Sequence, residues 1–311
     1  MMQEQKQYTV DVIIPVYKPN QQFQKTLKRL DQQTRKPDRI ILMNTEEQFF
    51  DKTVIEGISY AEVHHIKKSQ FDHGGTRHQA VCMSNADIVI CMTQDAIPAN
   101  EYVIEQLIKP FQDQEVAAVY ARQMADAKKS PIEAYTRMFN YPEQSRKKKK
   151  EDIKELGIKT FFCSNVCAAY RRCEYEAVGG FIKKTIFNED MILASQLIER
   201  GKAIYYNANA KVWHWHDYSG IEQLHRNFDL AVSQQCYGGI FLTVKSEGEG
   251  IRLVLATIKH LRTIHKRYLI PKVIWQSGCK YIGYKLGRMY EKLPKWLILK
   301  LTMNQSYWNK E

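Results

Sequence analysis

Four short stretches of this chain gather more reactive side chains than packing requires. "FDHGGTRH" at 71–78 holds an acid, two histidines, an arginine and two adjacent glycines. The glycine pair lets a backbone approach another group closely or take a positive φ. Arg77 offers a planar fork that fits a phosphate or a carboxylate. A polar turn between two elements would look the same. "CMTQDA" at 91–96 supplies one carboxylate, Asp95. A hard cation such as Mg2+ or Mn2+ takes oxygen ligands of that kind together with substrate phosphates, although an Asp shortly before Pro98 is also an ordinary turn former. In "VWHWHD" at 212–217, strand geometry would put His214 and His216 on one face and Trp213 and Trp215 on the other. Two imidazoles beside Asp217 suit a metal ion, a diphosphate or a purely structural His/Trp surface. "FNED" at 187–190 sets two acids at a helix start, with Asn188 to cap and Glu189 and Asp190 meeting the positive end of the dipole. A carboxylate so placed can also deprotonate a hydroxyl as a general base.

The elements that position these groups follow from periodicity. "VDVIIPV" at 10–16, "RIILMN" at 39–44, "AEVHHI" at 61–66 and "ADIVICM" at 86–92 read as short buried strands. Helical spacing of Phe23, Leu27 and Leu30 over 21–34, and a second helical stretch over 76–86, alternate with them. That alternation predicts an α/β fold with a mainly parallel central sheet and helices on both faces. Parallel α/β sheets place ligands at the carboxyl ends of their strands. Further strands are expected at 116–123, 161–172 and 211–216, and a helix at 188–201. The run "SRKKKKEDIKE" at 145–155 reads as a solvated loop or helix face, with a loop that orders over substrate as the alternative.

Composition narrows the function. The chain has 311 residues, 44% apolar and 26% charged, as in an ordinary globular protein. No apolar run is long enough to span a bilayer, and the polar N-terminus lacks the pattern of a signal peptide. Seven cysteines without CxxC spacing suggest reduced thiols in the cytoplasm. Net charge is +12, of which Arg252–Lys300 carries +11. The basicity therefore belongs to a C-terminal helical appendage, which argues against a nucleic-acid groove across the main domain. There Trp275, Ile282, Leu286, Met289 and Leu293 fall near one helical face among Lys280, Lys285, Arg288 and Lys292. Such a helix suits an anionic membrane surface, or packs its apolar face on the rest of the protein or in a homodimer. No GxGxxG follows the first strand and no GxxxxGK[ST] occurs, so dinucleotide redox chemistry and P-loop hydrolysis are disfavoured.

"VIIPVYKP", "TQDA", "VGGFIKKTIFNED" and the later histidine strand occur in the order found in glycosyltransferase family 2. Over roughly residues 8–245 the chain resembles that family and its GT-A fold, a nucleotide-diphospho-sugar transferase architecture. "FDHGGTR", "TQDA" and the His-x-His-Asp-Tyr stretch, with a similar C-terminal tail, are closest in kind to rhamnosyltransferases of bacterial surface polysaccharides. The resemblance implies a GT-A catalytic domain over 1–248 and a basic helical appendage over 249–311. It implies donor contacts from Pro15, Tyr17, Asn44, Asp72, Gly74, Gly75, Arg77 and Gln94. Asp95 with His214 or His216 would hold Mg2+ or Mn2+, and Asp190 would be the base of an inverting transfer. Ser164, Asn165 and Glu189 would stand on the acceptor side. The implied partners are a nucleotide-sugar donor, dTDP-L-rhamnose before a UDP-hexose, and a lipid-linked saccharide, met in the cytoplasm at the inner face of the membrane. Asn44 stands where most members carry an Asp, and Asp95 is the only acid of its motif. A sugar nucleotidylyltransferase would need a Gly-rich, Arg-containing loop where this chain reads "PVYKPNQQF". A non-enzymatic basic membrane-binding protein would leave the acids and histidines without a task.

Overall fold

A computed structural model describes residues 7–242 and 248–308. The chain forms two compact units. The first is built from residues up to Gln123, Pro142–Lys183 and Glu189–His214, the second from Met124–Tyr141, Lys184–Asn188 and Trp215 onwards. The strands are β1 (Val10–Tyr17), β2 (Arg39–Thr45), β3 (Ala61–Ile66), β4 (Ile88–Met92), β5 (Ile97–Pro98), β6 (Val116–Met124), β7 (Arg146–Lys148), β8 (Cys167–Arg171) and β9 (Ala203–Trp213). The principal helices are α1 (Gln21–Asp31), α2 (His73–Cys82), α3 (Pro131–Asn140), α4 (Glu189–Glu199), α5 (Gly220–Cys236), α6 (Glu249–Thr263), α7 (Ile270–Arg288) and α8 (Lys295–Leu301).

The sheet runs β3-β2-β1-β4-β8-β6-β9-β5, with β7 also paired to β9. β1, β2, β3 and β4 pair in parallel, as the strand–helix alternation predicts. β8 then pairs antiparallel with β4 and β6, and β9 antiparallel with β5 and β7, so the whole sheet is mixed. Antiparallel neighbours need no crossover helix, and the second half of the sequence lacks the regular alternation that would supply one. Val12, Ile14, Leu27, Leu30, Ile40 and Ile90 belong to one buried cluster, each such side chain contributing about 1.5–3 kcal/mol by leaving water. This core fixes where the carboxyl ends of β1, β2 and β4 lie.

The basic run at 145–155 is not a solvated loop. Arg146–Lys148 forms β7 on β9. Its neighbours are stitched by ion pairs: Arg146 to Asp152 and Glu155, Lys147 to Asp113 and Glu115, Lys150 to Glu199. Lys148 is buried, donates to the carbonyls of Lys159 and Phe162, and stands 4.8 Å from the Tyr120 ring centre. Asp152 and Glu155 of the run itself and the distant Asp113, Glu115 and Glu199 together supply its countercharge.

In the second unit, α5 and α7 approach closely. A Cβ at Gly283 would lie 2.1 Å from the Leu224 carbonyl oxygen, and one at Gly287 2.3 Å from that of Phe228, so both positions require glycine. Phe228, Val232, Ile186 and Ile298 form a buried cluster, with Leu286 and Leu293 packed against it. The expected apolar face of the tail therefore splits. Leu286 and Leu293 turn inward, whereas Trp275, Ile282 and Met289 stay 61%, 50% and 50% exposed. The expected boundary at residue 248 moves too. α5 belongs with the C-terminal helices, because Phe228 and Val232 share their core, and the first unit ends at His214. Among the described residues no helix is long and apolar enough to cross a membrane, and the seven cysteines form no disulfide.

Candidate active site

The glycine-rich stretch is a helix start. α2 begins at His73, three residues before the expected start, because Asp72 caps it: its carboxylate accepts from the Gly75 N–H at 2.5 Å. Gly74 is there for close approach, since a Cβ would fall 2.0 Å from the Ile182 carbonyl oxygen. Arg77, one turn on, is 5% exposed and points inward. Its guanidinium reaches the Glu189 carboxylate at 3.1 Å and donates to the His73 carbonyl at 2.9 Å. The Asp72, Gly74 and Gly75 stretch thus forms the start of α2 and carries Arg77 to Glu189. Arg77 braces Glu189 at the start of α4.

Those acids divide into two electrostatic states. Burial acts to raise the pKa of Glu189, but Arg77, His73 and the Asn165 side chain outweigh it and hold the group below the ordinary range. Asp190 has no such cation in contact. Burial, and then the neighbouring Glu189 charge, push its pKa up to about 7 against the N–H groups of Asn165 and Met191. Asp190 Oδ2 accepts from the Asn165 N–H at 3.0 Å and Oδ1 from the Met191 N–H at 2.8 Å. Asn165 is itself fixed: its Nδ2 donates to Glu189 at 3.1 Å, and its Oδ1 accepts from the Tyr170 hydroxyl at 2.7 Å. A carboxyl that titrates near neutrality beside a permanently charged one is the arrangement of an acid–base group and its electrostatic partner. Asn188 does not provide the expected cap. Its φ of 65° is left-handed, outside the extended geometry of a capping residue, and its Nδ2 is buried without a hydrogen bond.

A second cluster gathers past the ends of β4 and β9. β9 stops at Trp213, so the strand alternation expected for the histidines does not apply. His214 is 8% exposed, and its Nε2 lies 3.5 Å from Asp95 Oδ2. Its Nδ1 lies 3.0 Å from Gln123 Oε1, while Gln123 Nε2 donates to Ser164 Oγ at 3.0 Å. With the Gln123 carbonyl oxygen as acceptor, Nδ1 carries the proton and Nε2 offers its lone pair on the Asp95 side. Gln123, invisible as a candidate in the sequence, thus couples His214 to Ser164. His216 follows two residues along the chain and counts with Asp95 and His214 as a group able to hold a metal ion. This set fits a divalent cation. The imidazole nitrogen favours a first-row ion such as Mn2+ over Mg2+, which prefers oxygen throughout.

The carboxyl ends of β1 and β2 complete the site. Tyr17 is exposed and meets Phe49 edge to face at 5.8 Å between ring centres. The half-buried Pro15 precedes it on β1. Gln94 exchanges two hydrogen bonds with the Tyr17 backbone, at 2.9 and 3.1 Å, so it ties β1 to the Asp95 turn. Asn44 is fully buried and donates to the Glu46 carbonyl at 3.1 Å. Its Oδ1 is buried without a hydrogen-bond partner.

A mixed α/β sheet whose strand ends carry a carboxylate–imidazole pair, with a carboxyl near neutrality at a helix start, accords with a glycosyltransferase of GT-A architecture. Residues 11–178 match the pattern of glycosyl transferase family 2, and the chain belongs to that family. It is 35% identical over 308 residues to the O-antigen chain rhamnosyltransferase RfbN of Salmonella typhimurium, covering 96% of each chain. Against WbaN of Salmonella anatum, likewise described as an O-antigen chain rhamnosyltransferase, it is also 35% identical, over 96% of this chain and 95% of that one. In fold it is similar to the mannosyltransferase PcManGT of Pyrobaculum calidifontis, solved with GDP-Man and Mn2+, with a TM-score of 0.58 and 13% identity over 98% of this chain and 89% of that one. TarS 1–349 of S. aureus with UDP-GlcNAc gives 0.53 at 13% identity over 91% of each chain.

Proposed function

We propose that the enzyme transfers L-rhamnose from dTDP-L-rhamnose to a hydroxyl of a lipid-linked saccharide, with inversion, during surface-polysaccharide synthesis. The observation that carries the chemistry is the half-buried Asp190 carboxyl, its pKa pushed up to about 7, since a general base works best with a pKa close to the working pH. The choice of sugar is supported by the printed names of the two Salmonella relatives at 35% identity.

Asp190, oriented by the Asn165 N–H, takes the proton of the acceptor hydroxyl as that oxygen attacks the anomeric carbon. Arg77 keeps Glu189 ionised, and the Glu189 charge keeps Asp190 basic enough to hold the proton. Tyr17 and Phe49 present aromatic faces to the base, and Asn44 Oδ1 accepts from the pyrimidine N–H. Asp95, His214 and His216 would hold a divalent cation such as Mn2+, which would neutralise charge on the departing nucleoside diphosphate. Gln123 fixes the His214 tautomer for that purpose.

The exposed side chains of α7 and α8 favour attachment to an anionic membrane, where a lipid-linked acceptor resides. Ile274, Trp275, Tyr281, Ile282 and Trp296 are each at least half exposed, and the ammonium groups of Lys285 and Lys300 lie over the rings of Tyr281 and Trp296. Aromatic and aliphatic side chains interleaved with lysines suit the headgroup boundary.

Nucleoside-diphosphate release measured across dTDP-L-rhamnose, UDP-glucose and UDP-N-acetylglucosamine tests the donor. Preference for the rhamnosyl donor is expected; equal or faster turnover of a UDP-hexose refutes the assignment.

A further inference from the structure

Residues 214–219, between the end of β9 and the start of α5, have no regular secondary structure, yet they carry His216 of the metal-holding group. A segment without a ladder must take its hydrogen bonds from elsewhere. Here α7 supplies them. The buried Gln276 donates from Nε2 to the Tyr218 carbonyl at 2.6 Å. One turn earlier, Lys272 pairs with Asp217 at 2.9 Å. Between them the Trp275 indole closes on Gly220, where a Cβ would lie 2.2 Å from Nε1. Spacings of three and four residues put Lys272, Trp275 and Gln276 on one face of α7. Both members of the Lys272–Asp217 pair are exposed, and such pairs contribute little; the buried amide bond is the stronger restraint. On its other side Tyr218 adjoins Ser219, which caps α5 by exchanging hydrogen bonds with Glu222 at 2.7 and 3.2 Å. The Tyr218 ring, anchored in this way, stacks on the His216 imidazole at 4.9 Å between centres and 28° between planes. The Arg226 guanidinium stands 5.7 Å from the same ring centre.

We propose that Tyr218, held by Gln276, positions the His216 ring for a divalent cation, so that α7 supports the metal group as well as presenting an outer face. The cation rests on the reading given above; the restraint on His216 is an addition to it. A neutral imidazole must aim the lone pair of one ring nitrogen at the ion, and a ring on an irregular segment loses rotamer freedom when it does so. Stacking on an immobilised tyrosine removes that freedom before the ion arrives. Gln123 restrains His214 by a hydrogen bond to the same end, and partners of this kind are worth about 10–100-fold in metal affinity.

Calorimetric titration of Mn2+ into the full chain with dTDP present, alongside thermal unfolding, tests the proposal. Tyr218→Ala and Gln276→Leu should each weaken Mn2+ binding about tenfold or more. Tyr218→Phe, which keeps the ring, should rescue the wild-type affinity. Adding Tyr218→Ala to His216→Ala should cost no further affinity, because the two act through one ligand. A merely structural Tyr218 would lower the unfolding temperature of Tyr218→Ala while the folded protein bound Mn2+ like the wild type, or would weaken binding equally with and without His216. Either result overturns the proposal, as does unchanged affinity in Gln276→Leu. Asp95→Ala and His216→Ala read the metal assignment by itself. If both bind Mn2+ as the wild type does, that assignment falls and the proposal with it; if both lose binding while Tyr218→Ala keeps it, only the positioning role falls.

Discussion

Asp190→Asn removes a charge from a carboxyl whose pKa is pushed from 3.8 to about 7. The folded value lies above the unfolded one, so the neutral form favours folding. That stability is fully present below about pH 4 and is lost as pH rises through about 7. A shift of about 3 units at 1.36 kcal/mol each gives a penalty approaching about 4 kcal/mol for ionised Asp190 at pH 8. At pH 5 the same linkage gives only about 1–2 kcal/mol. Asparagine escapes the penalty but has one acceptor oxygen for the two N–H groups of Asn165 and Met191, which costs about 1–3 kcal/mol at any pH. The net effect is a gain of about 1–3 kcal/mol at pH 8 and almost none, or a small loss, at pH 5. Urea unfolding followed by tryptophan fluorescence at the two pH values measures it. The difference between them, about 2–3 kcal/mol, does not depend on the lost hydrogen bond. Turnover should fall by roughly two to four orders of magnitude, while the wild-type rate should climb through about pH 7 as the base ionises. Equal destabilisation at both pH values, or a variant that retains turnover, would refute the reasoning.

Glu189→Gln strands the buried Arg77 charge and should cost about 3–5 kcal/mol in unfolding experiments. With the neighbouring negative charge gone, the acid limb of the pH–rate profile should move to lower pH, and a limb that stays in place contradicts the coupling. Gln123→Leu should weaken Mn2+ binding about 10–100-fold by calorimetry in the presence of a nucleoside diphosphate, and unchanged affinity removes Gln123 from the metal site. Reversing the exposed charges of Lys285, Lys292 and Lys300 should reduce co-sedimentation with anionic liposomes at least about a hundredfold, at about 1 kcal/mol per lysine; undiminished binding would leave these helices without a membrane role.

The parallel strands β1, β2 and β4 were legible because buried strands read as continuous apolar runs, and the helix at Glu189 because acids and an apolar period announce its start. Family membership could be read from four motifs in order, and Asp190 stood out as a candidate base from one of them. What "FDHGGTRH" does could not be read in this way. The same residues serve a phosphate loop or a capped helix, and the choice depends on Ile182 and Glu189, which meet them only across the fold. The charge state of Asp190 was likewise hidden. A helix dipole alone predicts an ionised carboxylate, but burial and the Glu189 charge outweigh it. Lys148 reads as one more solvated lysine until β9 and the 159–162 carbonyls enclose it. Local patterns are set by backbone dihedrals and side-chain period, which neighbours in sequence determine. Burial, ion pairing and pKa depend on which distant surfaces exclude water together, and only the tertiary structure decides that.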